Sequence, residues 1–250
     1  MTELPPGSDG HFGERVAATY DDVPEPMIDG TSVDDATAVL EQLARGGRVL
    51  ELAIGTGRIG LPLAARGIEV AGIELSSAML ARLRAKPGGD AIEVVVGDMT
   101  SERVAGSFSL VYLVFNTIEN VTTQAGQVAV FRNAAAHLAP GGCFLIECNI
   151  PDLRRLPEGE TAVVFDASER HFGVDTYDVA RQGLTSHHFT KRDDGTWEYG
   201  AGPFRYVWPA ELDLMAELAG LRLRERWSGW DRRPFRHDSR HHVSIWEKPA

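Results

Sequence analysis

The chain has 250 residues, is 43% hydrophobic and carries a formal net charge of −11. That length and apolar content suit one large α/β domain or a domain with an insertion. The acidic balance repels phosphate backbones and argues against a nucleic-acid partner, and no apolar stretch approaches the roughly 20 residues that span a bilayer. The opening MTELPPGSDGHFGE is acidic and rich in proline and glycine, without the basic start and apolar core of a signal peptide. The two cysteines, Cys143 and Cys148, share the apolar run GGCFLIECNI and cannot easily bridge each other. A reduced, cytoplasmic setting is the expectation.

In chain order, residues 1–13 read as mobile and FGERVAATYDDV as a short helix ending near Pro24 and Pro26, so that 1–30 form a helical cap. SVDDATAVLEQLAR reads as a helix with Ser32 as N-cap and Val33, Ala36, Val39, Leu40 and Leu43 on one face; Gly46-Gly47 stops it. Strands and helices then alternate: strand RVLELA, helix RIGLPLAAR, strand IEVAGIEL, helix SSAMLARLR capped by Ser76, and strands IEVVVGD and FSLVYLVFN. A helix follows from Gln124 to Leu138, the turn Ala139-Pro140-Gly141-Gly142 breaks it, and CFLIECNI is the fifth strand. This alternation predicts crossover units, a mostly parallel sheet and helices on both faces.

The pattern changes over 152–208, where short alternating runs are separated by turns and Asp194-Gly195 signals a hairpin. We read this stretch as an antiparallel β insertion. PAELDLMAELAG is a helix with Pro209 at its start and Gly220 as its stop, and LRLRERW and HHVSIWEK close the sheet, the terminal strand antiparallel. The predicted units are the cap 1–30, a cofactor-binding core 31–151, the insertion 152–208 covering a substrate site, and the remainder of the core, 209–250.

The turn after the first strand raises the functional question. Glycines between a strand and a helix let backbone approach a ligand, and the helix start offers free N–H groups. Gly55-Thr56-Gly57-Arg58-Ile59-Gly60 fits G-x-G-x-x-G, and Glu74 ends the next strand, where an acid binds ribose hydroxyls. On these features alone a nicotinamide dinucleotide is a fair ligand and the chain an oxidoreductase, although none of its tyrosines starts a Tyr-x-x-x-Lys pair. Three features point elsewhere. Glu51, four residues before Gly55, would repel a pyrophosphate and suits a ligand with an amino group. The third strand ends in Gly97-Asp98-Met99, a carboxylate beside an apolar side chain that suits an adenine. The helix before strand five ends in Leu138-Ala139-Pro140-Gly141-Gly142.

In these motifs, and in their order over about residues 30–150, the chain resembles the class I S-adenosylmethionine-dependent methyltransferases. Their acid-and-glycine motif reads here Glu51-Leu52-Ala53-Ile54-Gly55-Thr56-Gly57, with Ala53 where the family often has a glycine. The resemblance implies a Rossmann-like fold and S-adenosyl-L-methionine as cofactor. It implies that Glu51 orients the methionine part, that Ala53, Gly55 and Gly57 pass beneath it, and that Glu74 takes the ribose hydroxyls with Leu75 beside the adenine. Asp98 and the Met99 backbone would meet the adenine edge, Met79 would pack near the ring, and Asn116 would lie near the methyl group. The insertion looks like the substrate cover of small-molecule methyltransferases that modify sugars and amines.

The expected partner is a small-molecule methyl acceptor, with transfer to nitrogen or oxygen by a monomer or homodimer. A hydroxyl acceptor benefits from a base, and His187, His188 and Tyr20 are the candidates. His187 and His188 are neighbours on a strand, so at most one enters the pocket. Tyr177, Arg232 and Arg233 are candidate substrate contacts, the arginines as grips for an anionic group. His237, His241 and His242 lack convincing ligand spacing, and no metal is expected. A non-catalytic module that binds the cofactor is the alternative from another class.

Overall fold

The computed structural model describes residues 12–22 and 30–250. Pro24 and Pro26 lie outside the described residues, as does most of the stretch read as mobile. Of the first predicted helix, α1 spans Glu14–Thr19. α2 (Val33–Ala44) starts at Ser32 as its sequence requires. The Ser32 hydroxyl accepts from the Asp35 amide (3.1 Å), and Asp35 Oδ2 accepts from the Ser32 amide (3.0 Å), so two otherwise unpaired helix-start donors are satisfied.

The crossover units follow: β1 (Val49–Leu52), α3 (Gly60–Ala65), β2 (Val70–Glu74), α4 (Ser77–Arg84), β3 (Glu93–Val96), β4 (Phe108–Leu113), α5 (Gln124–His137) and β5 (Leu138–Asn149). The Ser76 hydroxyl caps α4 by accepting from the Met79 amide. After the insertion come α6 (Pro209–Leu218), β10 (Arg222–Trp227) and β11 (His241–Glu247). The seven strands lie in the order β10-β11-β5-β4-β1-β2-β3. β3, β2, β1, β4 and β5 pair in parallel, while β11 runs antiparallel to both β5 and β10.

All four residues of β1 are buried, because helices cover both faces of the sheet. Leu50 and Leu52 join the core on one face, under Phe131 of α5 and Met215 of α6. Val49 joins the core on the other face, under Leu40 of α2, Leu63 of α3 and Leu83 of α4. Because all five parallel strands run the same way, their carboxyl ends gather at one edge, where ligands of open α/β sheets bind.

Ala139-Pro140-Gly141-Gly142 does not stand outside the fifth strand. β5 begins at Leu138, and the register against β4 slips from Phe108↔Leu138 to Leu110↔Cys143. The Gly141 amide donates to Lys248 O and the Lys248 amide to Gly142 O, both at 2.8 Å. The turn is thus held as a bulged strand entry by the chain's last strand.

The insertion folds as a four-stranded meander of its own: β6 (Ala162–Ala167), β7 (His171–Asp178), β8 (Gly183–Lys191) and β9 (Trp197–Arg205). Asp194-Gly195 makes the predicted hairpin, with Gly195 at φ +85°. The meander shares no strand pairing with the large sheet and is fastened by side chains. Arg205, 5% exposed, donates to Gln182 Oε1 (3.0 Å), Glu211 Oε1 (2.7 Å) and Gln127 Oε1, while Gln127 Nε2 returns to Arg205 O (3.0 Å). One residue at the exit of β9 thereby grips both α5 and α6.

Candidate active site

The turn between β1 and α3 departs from ordinary backbone at three alternate residues: Ala53, Gly55 and Gly57 have φ of +56°, +58° and +79°. Glycine adopts this region freely, whereas Ala53 bears a steric cost of ~1–2 kcal/mol. α3 starts only at Gly60, so Gly55 and Gly57 shape the loop and Gly60 lies within the helix. The buried Met79 lies under the loop, its Cε 3.4 Å from where a side chain at Gly55 would begin.

Glu74 is 6% exposed at the end of β2. Its Oε2 accepts from the Gly55 amide (2.7 Å) and its Oε1 from the Ser76 amide (2.8 Å). Backbone therefore fixes the carboxylate at the end of β2. Leu75 follows, 43% exposed. Past β3, Asp98 is exposed, with Oδ1 accepting from the Thr100 amide (2.7 Å); the Met99 carbonyl accepts from Asn133 Nδ2 (2.7 Å) and its side chain packs on the core.

Glu51 is 4% exposed and tucked beneath the turn. Its Oε2 accepts from the Tyr112 hydroxyl of β4 (2.8 Å), and the Gly60 amide also bonds its carboxyl. Burial pushes the carboxyl up to about 8, with the nearby charge of Glu74 adding to the rise, against the opposing pull of the Tyr112 and Gly60 hydrogen bonds. The acid thus ties β1, β4 and α3 together under the loop.

At the exit of β4, Phe115 and Asn116 are both left-handed, at φ +57° and +58°. The fully buried Glu147 of β5 holds this bend. It accepts from the Phe115 amide (3.0 Å) and from Trp230 Nε1 (2.8 Å). Asn116 Oδ1 accepts from the Asn149 amide (2.6 Å). Asn116 therefore joins the carboxyl ends of β4 and β5 beside the glycine turn.

α1 is strapped over this edge by contacts that the sequence did not announce. The Thr56 hydroxyl donates to Asp21 Oδ1 (2.7 Å), and Lys86 Nζ reaches both Asp21 Oδ2 and Thr56 O (2.8 Å each). Arg58 donates to Tyr20 O (2.9 Å), and its guanidinium lies over the rings of Tyr20 (4.7 Å) and Phe115 (5.3 Å). The Ser76 hydroxyl donates to Phe12 O (2.7 Å). Tyr20 is thus part of the strap, packed by Arg58 and by the Phe12 ring.

The insertion divides its side chains by the pleat. Asp175 and Tyr177 of β7 share a face with Ser186 and His188 of β8, as the pairs Asp175↔Ser186 and Gly173↔His188 show. This face looks toward α1, whose Arg15 pairs with Glu198 of β9, and toward the 3-10 turn Thr117–Asn120, whose Glu119 interacts with Asp175 and Tyr177. His187 is turned to the opposite face, stacked on Tyr199 with Nδ1 2.8 Å from its hydroxyl. Burial pushes Glu119 up to about 7, opposed by the Cys148 thiol that donates to it and assisted by the charge of Asp175. Burial raises Asp175 as well, and among the described residues its buried Oδ1 has no hydrogen-bond partner.

Arg232 and Arg233 are engaged elsewhere. Arg232 lies over the Trp227 ring (4.9 Å) and donates to Gln42 of α2 (2.6 Å), while Arg233 is mostly exposed and pairs with Asp231. Their loop is short of slack: the Ser228 amide bonds Arg233 O (2.9 Å), closing it on itself. Of the arginine-rich stretch, it is Arg240 that lines a cleft, with Asp152 and Arg154. Among the described residues, no helix is long and apolar enough to cross a membrane.

A family model described as a methyltransferase domain matches residues 49–142, from β1 to the bulged entry of β5. The cypemycin N-terminal methyltransferase of a Streptomyces species is 30% identical over 181 residues, 70% of this chain and 73% of that protein. The chain belongs to the class I S-adenosylmethionine-dependent methyltransferases. The methyltransferase is also similar to the CcbJ methyltransferase of Streptomyces caelestis, at 34% identity and a TM-score of 0.85, covering 97% of this chain and 100% of that one. The S-adenosylmethionine-bound amino pentose methyltransferase CalS10 of Micromonospora echinaspora shares the fold, at 22% identity and a TM-score of 0.67, over 92% of this chain and 95% of that one.

The residues present fit the cofactor. Gly55 brings no side chain to the turn, and the Gly55 and Ser76 amides fix the Glu74 carboxylate at the end of β2, where an acid suits ribose hydroxyls. The unexpected members of the site are Asp21, Arg58, Phe115, Glu119 and Asp175. Only Arg58 carried a sequence signal, its place inside the glycine motif.

Proposed function

We propose that this methyltransferase acts on a nitrogen of a small-molecule amine bound between the strap, the exit of β4 and the insertion. The observation that carries this reading is the acidic pair Glu119 and Asp175, whose charges interact next to the exit of β4 and which suits a protonated amine. The amine-directed names of the cypemycin N-terminal and amino pentose enzymes agree with it.

In this reading Glu74 holds the ribose hydroxyls, Leu75 and Met79 pack the adenine, and Asp98 with the Met99 amide meets its edge. Ala53, Gly55 and Gly57 pass beneath the methionine part, Glu51 keeps that turn in shape, and Asn116 sits near the methyl group. Residues 31–151 and 209–250 act as the core, 152–208 as the cover and the N-terminal strap as a cap, in a cytoplasmic enzyme. Tyr177 lines the acceptor side.

S-adenosylmethionine, when bound, supplies a methyl group on a sulfonium whose departing thioether is neutral. The chain's task is then to hold the nucleophile in line and keep water out. Glu119 and Asp175 draw the amine in as a cation, and the desolvation that raises both carboxyls strengthens their hold on it. The amine must lose a proton before it attacks.

Calorimetric titration with S-adenosylmethionine, S-adenosylhomocysteine and NAD comes first, followed by mass spectrometry on amino sugars, amino acids and dipeptides beside their hydroxyl analogues. The expected result is micromolar binding of the first two ligands, silence with NAD, and methylation of amines alone. Methylation of the hydroxyl analogues would overturn the amine reading, and an NAD-binding protein that ignores the sulfonium would overturn the site assignment.

A further inference from the structure

The insertion carries a chain of hydrogen bonds that nothing in the cofactor site needs. Asp166 Oδ2 lies 2.6 Å from His171 Nδ1, at the β6–β7 turn. His171 Nε2 lies 3.0 Å from His188 Nδ1 on the neighbouring strand. His188 Nε2 lies 3.1 Å from the Ser186 hydroxyl. Phe165 packs against both imidazoles, with ring centroids 6.1 Å from His171 and 5.3 Å from His188. Gly173 and Gly200, the cross-strand neighbours of His188, have no side chains to shield it.

The Ser186 hydroxyl bonds the Asp175 carboxyl as well as His188, and it has one proton to give. With that proton turned to His188, one arrangement satisfies the contacts of the chain with neutral imidazoles. The Asp166 carboxylate accepts, so His171 carries its proton on Nδ1 and offers the Nε2 lone pair. His188 must then donate from Nδ1, which leaves its Nε2 to accept from Ser186. With Ser186 turned to His188, all the donors point the same way, from Ser186 toward Asp166. Ser186 is the cross-strand partner of Asp175, on the face turned to Glu119. Asp166 is 40% exposed. One end of the chain opens on the acceptor side, and both His188 and Asp166 reach solvent.

We propose that Ser186, His188, His171 and Asp166 form a one-directional proton relay that takes the proton from the bound ammonium. This rests on the amine reading above. The N–H bond breaks, the proton passes to Ser186 Oγ as the serine's own proton moves to His188 Nε2, and the Nδ1 protons of His188 and His171 shift in turn until Asp166 is protonated and releases to water. The freed nitrogen lone pair forms the C–N bond as the C–S bond breaks, its electrons remaining on sulfur. The products are a methylated ammonium, a neutral thioether and one proton, which balances the two positive charges that entered. His188 is the candidate that the sequence offered as a base. His171 and Asp166 are positioning residues that the sequence did not offer.

The charged groups around the relay fit this direction. Asp175 and the nearby Glu119 retain a cation at its inner end, and Arg155 lies near Asp175. Arg15 and Glu198 neutralise each other beside Gly200, and Arg170 pairs with Asp193 at the outer hairpins. The hydrogen bond from His171 lowers the Asp166 carboxyl below its usual range, which keeps the outer end ionised and quick to pass a proton on to water.

Two readouts test the relay. In the whole protein with 15N-labelled histidine, both His171 and His188 are expected as Nδ1–H tautomers; His188 protonated on Nε2 overturns the proposal without reference to any acceptor. In turnover with the best acceptor of the panel above, His171→Gln and Asp166→Asn are expected to lower kcat about 10-fold near neutral pH. That deficit closes as pH rises and hydroxide takes the proton directly, with S-adenosylmethionine affinity unchanged as the control for folding. Variants with the wild-type pH profile, or a deficit equal at every pH, overturn the relay. The atom methylated, read by mass spectrometry, decides the amine reading separately, because the profiles can be taken with an amine or a hydroxyl acceptor.

Discussion

Glu74 closes the glycine turn through the Gly55 amide and, in the proposed reading, holds the ribose hydroxyls as well. Glu74→Ala is expected to weaken S-adenosylmethionine binding by ~1–3 kcal/mol, the cost of stranding hydrogen-bond partners. Asp98→Ala, at an exposed position, belongs at the low end of that range. Calorimetry checks both, and unchanged affinity in both would sink the assignment. Ala53 offers a separate test. Relief of its left-handed strain is worth ~1–2 kcal/mol, against ~0.4–1 kcal/mol for the extra freedom glycine gives the unfolded chain. Ala53→Gly should therefore stabilise the protein by up to about 1.6 kcal/mol in urea denaturation.

The insertion as an element depends on Arg205. Removing one partner of a buried ion pair strands the other, at ~3–5 kcal/mol. Arg205→Met should therefore release β6–β9 to protease while the seven-stranded core stays folded, abolish methyl transfer, and leave cofactor affinity within a few-fold of wild type. Proteolysis and calorimetry on the same sample separate these effects. The elements themselves were largely legible in the sequence. Ser32 and Ser76 cap the helices they precede, and apolar runs alternating with amphipathic ones mark the crossovers. The bulged entry of β5 was not legible, because the Lys248 backbone that holds it lies more than a hundred residues away. Nor was the phase of the pleat. The sequence says that His187 and His188 face opposite ways, but which one meets the site depends on the sheet's packing against Glu119 and α1. The strap was hidden for the same reason: Thr56–Asp21 and Arg58–Tyr20 are contacts between distant segments, and no local pattern encodes them. The cofactor motifs were legible because each is a short run at the end of a strand.

At the scale of the whole molecule, Glu51 and Glu119 set a pH dependence. Burial lifts both carboxyls from an ordinary 4.5, to about 8 and about 7 respectively, so the folded protein holds protons that the unfolded chain has given up. Their contribution to stability is complete below about pH 4.5 and is lost as pH rises toward 7 and 8. Unfolding free energy without cofactor should therefore fall across that window, and Glu51→Gln should flatten the fall on its alkaline side. A stability that rises over the window in both proteins would contradict the buried, raised state of Glu51. Cofactor binding adds its own linkage. S-adenosylmethionine at 100 times its Kd should add ~2.7 kcal/mol, raising Tm by about 5–10 °C for a chain of this size.

The meander that bears Asp175 and the histidine chain has no strand pairing with the core, and side chains fasten it. Its wall can therefore mutate residue by residue without shifting the register of any strand that holds the sulfonium. If the meander covers the acceptor as proposed, acceptor choice and cofactor use can drift independently, and grafting a foreign meander onto the Gln127–Arg205–Glu211 clamp is a rational route to new acceptors.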